Sequence, residues 1–436
     1  MNIPFTKYTL DNGLDVLVHE DHSLPIVAVN VWYHVGSKNE VPGRTGFAHL
    51  FEHLMFEGSQ HYDRGYFHPL QEAGAALNGS TNADRTNYWE VVPGNALDLA
   101  LWMESDRMGY LLPALTDAKF SNQREVVLNE RRQNYENRPY GLAGMAIVSA
   151  LYPADHPYHW LTIGGADDIR AAHIDDVRAF FQRYYHPGNA SLALAGDIDP
   201  DMGILLAEEY FGEIPAGEKP ARLSIPTPAP PPADVKLVLE DRVELPRIYM
   251  AWHSPALFAE GDAELDLVAE VLTSGKTSRL YRALVYEQRI ATEVAASQNS
   301  RELGSFFQVV ATAAPGRTLA EVERAITREL ATFLDRGPTG AELERCLAQA
   351  EAHFLFRLQT VGGFGGKSDQ LNAYNTFLND PGYFVRDLER YRTATADRLR
   401  DAARIYLKPA NRVVLSVVPR GRVALALSGS QPVAVS

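Results

Sequence analysis

The chain has 436 residues, 46% of them hydrophobic, which is enough apolar content for more than one core and a length that suggests about two or three domains. With 41 basic against 55 acidic residues the formal charge is −14, which argues against nucleic acid or an anionic membrane as the main partner and leaves a weak bias toward basic peptides. A single cysteine, Cys346, excludes an intramolecular disulfide framework and reads as a small buried hydrophobe.

From the N-terminus the chain enters an alternating strand pattern without an apolar h-region, and no later stretch is long enough to span a bilayer. It therefore reads as soluble and cytoplasmic, or periplasmic if a leader has been removed. Residues 14–37 alternate like a strand hairpin, with 20–25 as the turn. Residues 44–58 then carry Phe47, Leu50, Leu54 and Met55 at helical spacing, punctuated by Gly43 and Gly58. Inside this predicted helix lies His49-Leu50-Phe51-Glu52-His53. Positions i and i+4 share a helix face, so the two imidazoles can converge on one cation with Glu52 beside them. Neutral imidazoles suit zinc, a catalytic zinc wants three protein ligands and an open position, and a nearby carboxylate can take a proton from metal-activated water. The pentapeptide is the H-E-x-x-H zinc motif in reverse order.

Residues 78–93 read as a glycine-led loop running into a strand that Pro93 stops. Helical patterns follow at roughly 96–110, 120–137 and 167–183. In the second of these Gln123, Val126, Val127, Glu130 and Asn134 share a face, and a carboxylate on a partly apolar face makes Glu130 the best candidate for a third metal ligand.

These residues resemble the pitrilysin/insulinase family of zinc peptidases, whose pattern is His-x-x-Glu-His, then 76 residues, then Glu; residues 54–129 are those 76, and Glu130 follows. The resemblance extends over most of the chain. It implies one zinc ion per chain held by His49, His53 and Glu130, with Glu52 as the general base. It also implies that the strand near residue 80 is a sheet edge beside the metal, to which a peptide adds as a further strand, with Asn82 and Ala83 at the substrate-binding positions. The residues alone leave Asn82 equally an ordinary turn residue. Many relatives carry an extra carboxylate two helical turns before the ligand glutamate; here Gln123 stands there, an amide that bonds but carries no charge, which puts an auxiliary acid role in doubt.

The second half repeats the first at an offset of about 220 residues: 235–254 mirrors 14–37, and the segment 405–411 matches 184–189, each followed by an apolar run. Between them the proline-rich stretch 220–233 can neither pair as a central strand nor continue a helix and reads as a linker. The domains expected are thus a metal-bearing domain 1–219, the linker 220–233, and a homologous domain 234–436 with helices near 261–273, 318–335 and 340–360. The fold class is α+β, two homologous domains each with an antiparallel-type sheet and helices packed on one face. This is the processing-peptidase-like metallohydrolase architecture that the resemblance implies. Shifted by the offset, His49, Glu52 and His53 fall near Ala269, Leu272 and Thr273, so the second half has no metal site of its own.

Family members that act alone or as self-complementing dimers carry, in the second domain, an arginine and a tyrosine seven residues apart that bind the substrate carbonyl. Anchored on residues 278–281, the matching positions are Val285 and Thr292; Arg279 and Tyr286 have the separation but lie six residues early. The expectation is a heterodimer in which a homologous second subunit supplies the Arg/Tyr pair, similar to mitochondrial processing peptidase. The competing readings are a non-catalytic scaffold or binding subunit, against which the intact ligand set argues, and a homodimeric peptidase using other donors. The expected substrate is a peptide or unfolded segment; neither nucleic acid nor membrane is an expected partner. The glycine-rich run 362–368 and the segment 274–277 imitate phosphate loops, but Val361 and Glu270 stand where the first glycine must be. The histidines at 19, 22, 61, 68, 156 and 159 read as solvated loop residues.

Overall fold

In the computed structural model, which describes residues 2–435, strands β1 (Thr6–Thr9), β2 (Asp15–Glu20), β3 (Ile26–Tyr33), β4 (Ala76–Thr81), β5 (Thr86–Pro93) and β6 (Ala190–Gly196) form one sheet in the order β1-β2-β6-β3-β5-β4. Strands β2 and β6 run parallel and the other neighbours antiparallel, so the sheet is mixed. The hairpin suggested by residues 14–37 does not pair as one, because β6 returns between its two arms. The reason lies in β6 itself: Ala-Ser-Leu-Ala-Leu-Ala-Gly is buried at every position and needs a neighbour on both sides. Its last residue admits no side chain, since a Cβ on Gly196 would stand 2.2 Å from the Ile26 carbonyl oxygen.

The second sheet comprises β7 (Val235–Asp241), β8 (Arg247–Ser254), β9 (Ala291–Asn299), β10 (Ser305–Ala313), β11 (Val413–Pro419) and β12 (Gln431–Pro432), in the order β12-β7-β11-β8-β10-β9. The five-strand order β2-β6-β3-β5-β4 recurs as β7-β11-β8-β10-β9, with the same parallel pair, β7 with β11. The duplication read from the 220-residue offset is therefore a duplication of topology.

The chain forms two compact units that do not follow its halves. The first takes the chain up to Asn129, Thr162–Arg222 and His353–Asp387; the second takes Glu130–Leu161, Leu223–Ala352 and the chain from Leu388. Each unit covers its sheet with a helix borrowed from the other half of the sequence: Lys367–Leu378 lies against β3 and β6, and Ala143–Leu151 against β8 and β11. This explains why β3 and β8 are buried beyond their first residue on both faces, where helices on one face alone would leave alternate residues wet. The seam in the first unit is polar. Asp369 Oδ1 accepts from Trp32 Nε1 (2.8 Å) and Asn87 Nδ2 (3.0 Å), while Asn372 Nδ2 donates to the Asn30 carbonyl (2.8 Å). The glycine run before this helix is a packing device, for a Cβ on Gly362 would meet Ala28 Cβ and Val91 Cγ2 at 2.6 Å.

Most predicted helices are present, at Leu97–Ala114, Asp117–Arg131, Asp262–Thr273, Leu319–Arg336 and Gly340–Arg357. The pattern at 167–183 divides into Ala166–Ala171 and Ile174–Tyr184, with extended backbone at Ala172 and His173. Each half opens on an acidic pair, Asp167/Asp168 and Asp175/Asp176, placed to favour its own helix N-terminus. Helix Leu97–Ala114 delivers Arg107 and Glu104, one turn apart, beneath β5. Arg107 is fully buried, bonds both oxygens of Glu104, reaches Glu90 Oε1 at 3.4 Å, and lies over the rings of Tyr66 (3.9 Å) and Tyr88 (4.2 Å). Cys346 sits in the core of the second unit, where burial pushes its thiol up to about 11. Among the described residues no helix is long and apolar enough to cross a membrane.

Candidate metal centre and substrate edge

The helix Phe47–Leu54 starts at Gly46, whose φ of 90° and closeness to the Ile163 carbonyl oxygen (3.0 Å from an added Cβ) both call for glycine. The Glu40 carboxylate caps this start, accepting from Gly46 N–H (Oε2, 2.9 Å) and Ala48 N–H (Oε1, 2.9 Å). Phe47, Leu50, Phe51 and Leu54 are buried, and Phe51 packs on Phe180, Phe181 and Tyr185 with ring centroids 5.9, 5.6 and 5.1 Å away. Anchoring that face leaves His49, Glu52 and His53 together on the other, each half-buried, with the two imidazoles edge to face at 4.8 Å.

Glu130 lies in the last turn of the continuous helix Asp117–Arg131, whose preceding residues belong to the first unit. That helix is held by Phe120, Gln123, Val127 and Leu128, all buried; Val126, grouped by the sequence pattern with the Glu130 face, is 38% exposed. Beyond Arg131 the backbone widens into a π-helical turn, Arg132–Glu136, and Asn134 Nδ2 donates to Glu130 Oε1 at 3.3 Å.

One ligand atom each from His49, His53 and Glu130 lies within 4.8 Å of the others, and this is the one such group of His, Cys, Asp and Glu among the described residues. Donor atoms sharing a tetrahedral zinc stand roughly 3.3 Å apart, so small side-chain rotations bring the three to coordination distance. Two imidazole nitrogens and one carboxylate oxygen form the donor set of a catalytic zinc site with one position left for water. The residues present fit the metal.

Gln123 is buried and its Nε2 donates to Glu57 Oε1. Glu57 follows His53 by four residues and Gln123 precedes Glu130 by seven, so this bond clips together the two segments that carry the candidate ligands. Glu57 lies beyond the helix end at Leu54, so no helical spacing marks it in the sequence.

Residues 76–81 are already strand, not loop, and β4 is the edge of its sheet, paired only with β5 and packed against the metal-motif helix. Gly79 allows that approach, since a Cβ there would meet Tyr88 Cδ1 at 2.9 Å and Phe56 Cζ at 3.0 Å. Asn82 and Ala83 form the turn into β5. The Asn82 side chain accepts from the N–H groups of Asp84 (2.7 Å) and Arg85 (2.9 Å), which is the work of a turn residue.

In the second unit Arg279 is committed elsewhere: it forks onto Glu342 (2.7 and 2.6 Å) and donates to the Gly337 carbonyl (2.8 Å). Burial would raise the Glu342 carboxyl, but the Arg279 bonds prevail and hold it at about 2. Tyr286 is 74% exposed, Val285 packs against the core, and Thr292 Oγ1 donates to the Thr312 carbonyl at 3.4 Å.

The profile of the family described as "Insulinase (Peptidase family M16)" matches residues 15–156, and that described as "Peptidase M16 inactive domain" matches residues 172–350. The chain is 30% identical over 365 residues to the zinc protease PqqE of Helicobacter pylori, covering 82% of this chain and 81% of that one. It is 23% identical over 378 residues to the uncharacterized zinc protease YmxG of Bacillus subtilis, covering 86% and 90%. Among solved structures, a protease from Helicobacter pylori superposes with a TM-score of 0.88 at 26% identity, covering 96% of this chain and all (100%) of that one. A peptidase M16 inactive domain from Pseudomonas fluorescens gives 0.84 at 19% identity over 95% and 98%, a likeness of fold.

Proposed function

Since this chain belongs to the insulinase (M16) family of peptidases, we propose that it is a zinc-dependent endopeptidase, acting on peptides or unfolded segments and serving as the metal-bearing subunit of a heterodimer. The observation that carries this is the convergence of His49, His53 and Glu130, with Glu52 on the same helical face as the histidines. In this reading residues 1–219 form the zinc-bearing domain and 234–436 its non-metal counterpart, joined by 220–233.

His49, His53 and Glu130 would hold the zinc. When bound, the ion polarises the scissile carbonyl and lowers the pKa of a water to about 7. Glu52, on the histidine face of the helix, would take a proton from the attacking water and deliver it to the leaving amine. The substrate lies extended along the β4 edge, bonded through main-chain groups, with Asn82 and Ala83 at the end of its track. Support for this arrangement comes from β4 being the unpaired edge nearest the metal-motif helix. Gln123 acts by bracing Glu57, not as an acid.

The heterodimer is favoured by Val285, which has no side-chain donor, by Thr292, whose hydroxyl is spent on the Thr312 carbonyl, and by Arg279 being tied to Glu342. Oxyanion donors are typically worth about 10²- to 10³-fold in rate, so an active enzyme obtains them from another chain. Glu52→Gln tests the core of the proposal: about one zinc per chain retained and peptide hydrolysis lost. Surviving hydrolysis overturns the assignment of the base, and absence of zinc from the parent chain overturns the metal site. Full-rate hydrolysis by the purified chain without a partner overturns the heterodimer.

A further inference from the structure

Between β3 and the metal-motif helix runs a short turn, Ser37–Asn39, bonded on both sides. Toward the edge hairpin, the N–H groups of Ser37 and Lys38 donate to the carbonyls of Asn82 (3.2 Å) and Ala83 (2.9 Å), and Lys38 Nζ donates to the Asp84 carbonyl at 2.6 Å, 3.7 Å from Asp84 Oδ1. Gly36 makes room for this, since a Cβ there would lie 2.4 Å from the Asn82 oxygen. Toward the metal helix, Glu40 caps Gly46 and Ala48. Lys38 and Glu40 are only 3% and 6% exposed.

A buried ammonium and a buried carboxylate two residues apart are costly to desolvate, and a neutral Ser or Asn would cap a helix more simply. What the charged pair adds is reach and stiffness: one turn grips the substrate edge with one side chain and the ligand helix with the other. Hydrolysis needs the carbonyl held by the edge to meet water held by the metal, and a misplacement of about 1 Å costs on the order of 10²-fold. We propose that Lys38 and Glu40 are positioning residues that hold the β4–β5 hairpin and the His49–His53 helix in one frame, Lys38 governing how peptide is seated and Glu40 how zinc is held. This rests on the zinc-peptidase reading above.

The test uses the full chain carrying Glu52→Gln, so that bound peptide is not cut. Zinc affinity is measured by chelator competition, and peptide affinity by fluorescence anisotropy with a dye-labelled, unstructured peptide rich in arginine and leucine. Lys38→Met is expected to weaken peptide binding about 10-fold with zinc affinity held within about 2-fold, and Lys38→Arg to restore most of the loss. Glu40→Gln is expected to weaken zinc about 10- to 100-fold while zinc-saturated protein keeps its peptide affinity. If Lys38→Met fails to fold, Asp84→Asn, which keeps the carbonyl bond and removes the ion contact, should show the same split at smaller amplitude. Parallel loss of both affinities in each variant, or loss of neither, overturns the inference and leaves the peptidase reading standing. A parent chain that binds no zinc overturns both.

Discussion

Arg107→Met removes the one cation in a buried cluster that supports β5, and through it the β4 edge. The guanidinium, Glu104 and Glu90 are 0%, 0% and 1% exposed. Burial, and after it the Glu104 charge, push the Glu90 carboxyl well above the usual carboxylate range; Arg107 opposes this, and Tyr66 donates to Glu90 Oε1 at 2.8 Å. In the native cluster Arg107 is the one cation facing two buried carboxyl groups. Deleting one partner of a buried ion pair costs about 3–5 kcal/mol. Loss of the contacts with Tyr66 and Tyr88 adds about 1–2 kcal/mol, part of which methionine recovers by filling the space. A loss of about 4 kcal/mol near pH 8 is expected. With Arg107 gone the Glu90 carboxyl moves further up. A carboxyl whose folded value lies above its unfolded value gives stability that is complete below the unfolded value and is lost as pH rises through the folded one. The deficit of the variant must then shrink toward pH 5 and grow toward pH 8. Urea titrations of the full chain followed by tryptophan fluorescence at the two pH values measure this, and Glu104→Gln in the same chain should return most of the loss. A deficit below about 1 kcal/mol at pH 8, or one that does not change with pH, refutes the account.

Glu90→Gln keeps the shape of the protonated acid without its titration, so thermal stability should stop declining on the alkaline side and overtake the parent; melts at pH 6 and 9 decide it. Gln123→Glu sets a carboxylate against Glu57 where an amide now donates, and should cost about 1 kcal/mol near neutral pH and speed zinc loss to a chelator; unchanged zinc release would mean the clip does not brace the ligands. Val285→Arg with Thr292→Tyr should raise peptide hydrolysis by the isolated chain at least about 10-fold if oxyanion donors are what it lacks, and no gain would count against that shortage. Arg279→Ala should cost about 1–3 kcal/mol of stability through the orphaned Glu342 and leave turnover by the assembled enzyme intact; a specific fall in kcat would place Arg279 at the site.

The parts visible in the sequence are those encoded by local spacing. The i, i+4 histidines announce a helix face, and the two halves announce the duplicated strand order, because each signal needs only neighbouring residues. Glu130 was visible as an acid on a helix but tied to the histidines only by the family spacing. What stayed hidden depends on distant partners. Strand β6 entering between β2 and β3 is a long-range pairing that no alternation pattern reports. Helix Ala143–Leu151 is apolar around most of its circumference because it is buried against the second sheet, so it lacks the period that marks a surface helix. Nothing in the sequence marks Lys38 and Arg107 for burial, which Asp84 in one case and Glu104 with two tyrosines in the other make tolerable.

The duplication also sets the candidate metal helix against a helix of the second half. Shifted by the offset of about 220 residues, His49, Glu52 and His53 fall near Ala269, Leu272 and Thr273. Ala269 and Leu272 are buried at 7% and 0% exposure, and the Thr273 hydroxyl turns back onto the Ala269 carbonyl at 3.1 Å. A helix that presents histidines must leave one face half-open and be anchored by the rest, as Phe51 and its aromatic partners anchor the first. Its copy, released from ligand duty, closes that face into the core with Leu265, Val268 and Val271. The second helix thus spends on its core the kind of face that the first leaves half-open, and histidines placed at 269 and 273 would not by themselves create a second site, because their surroundings are already packed.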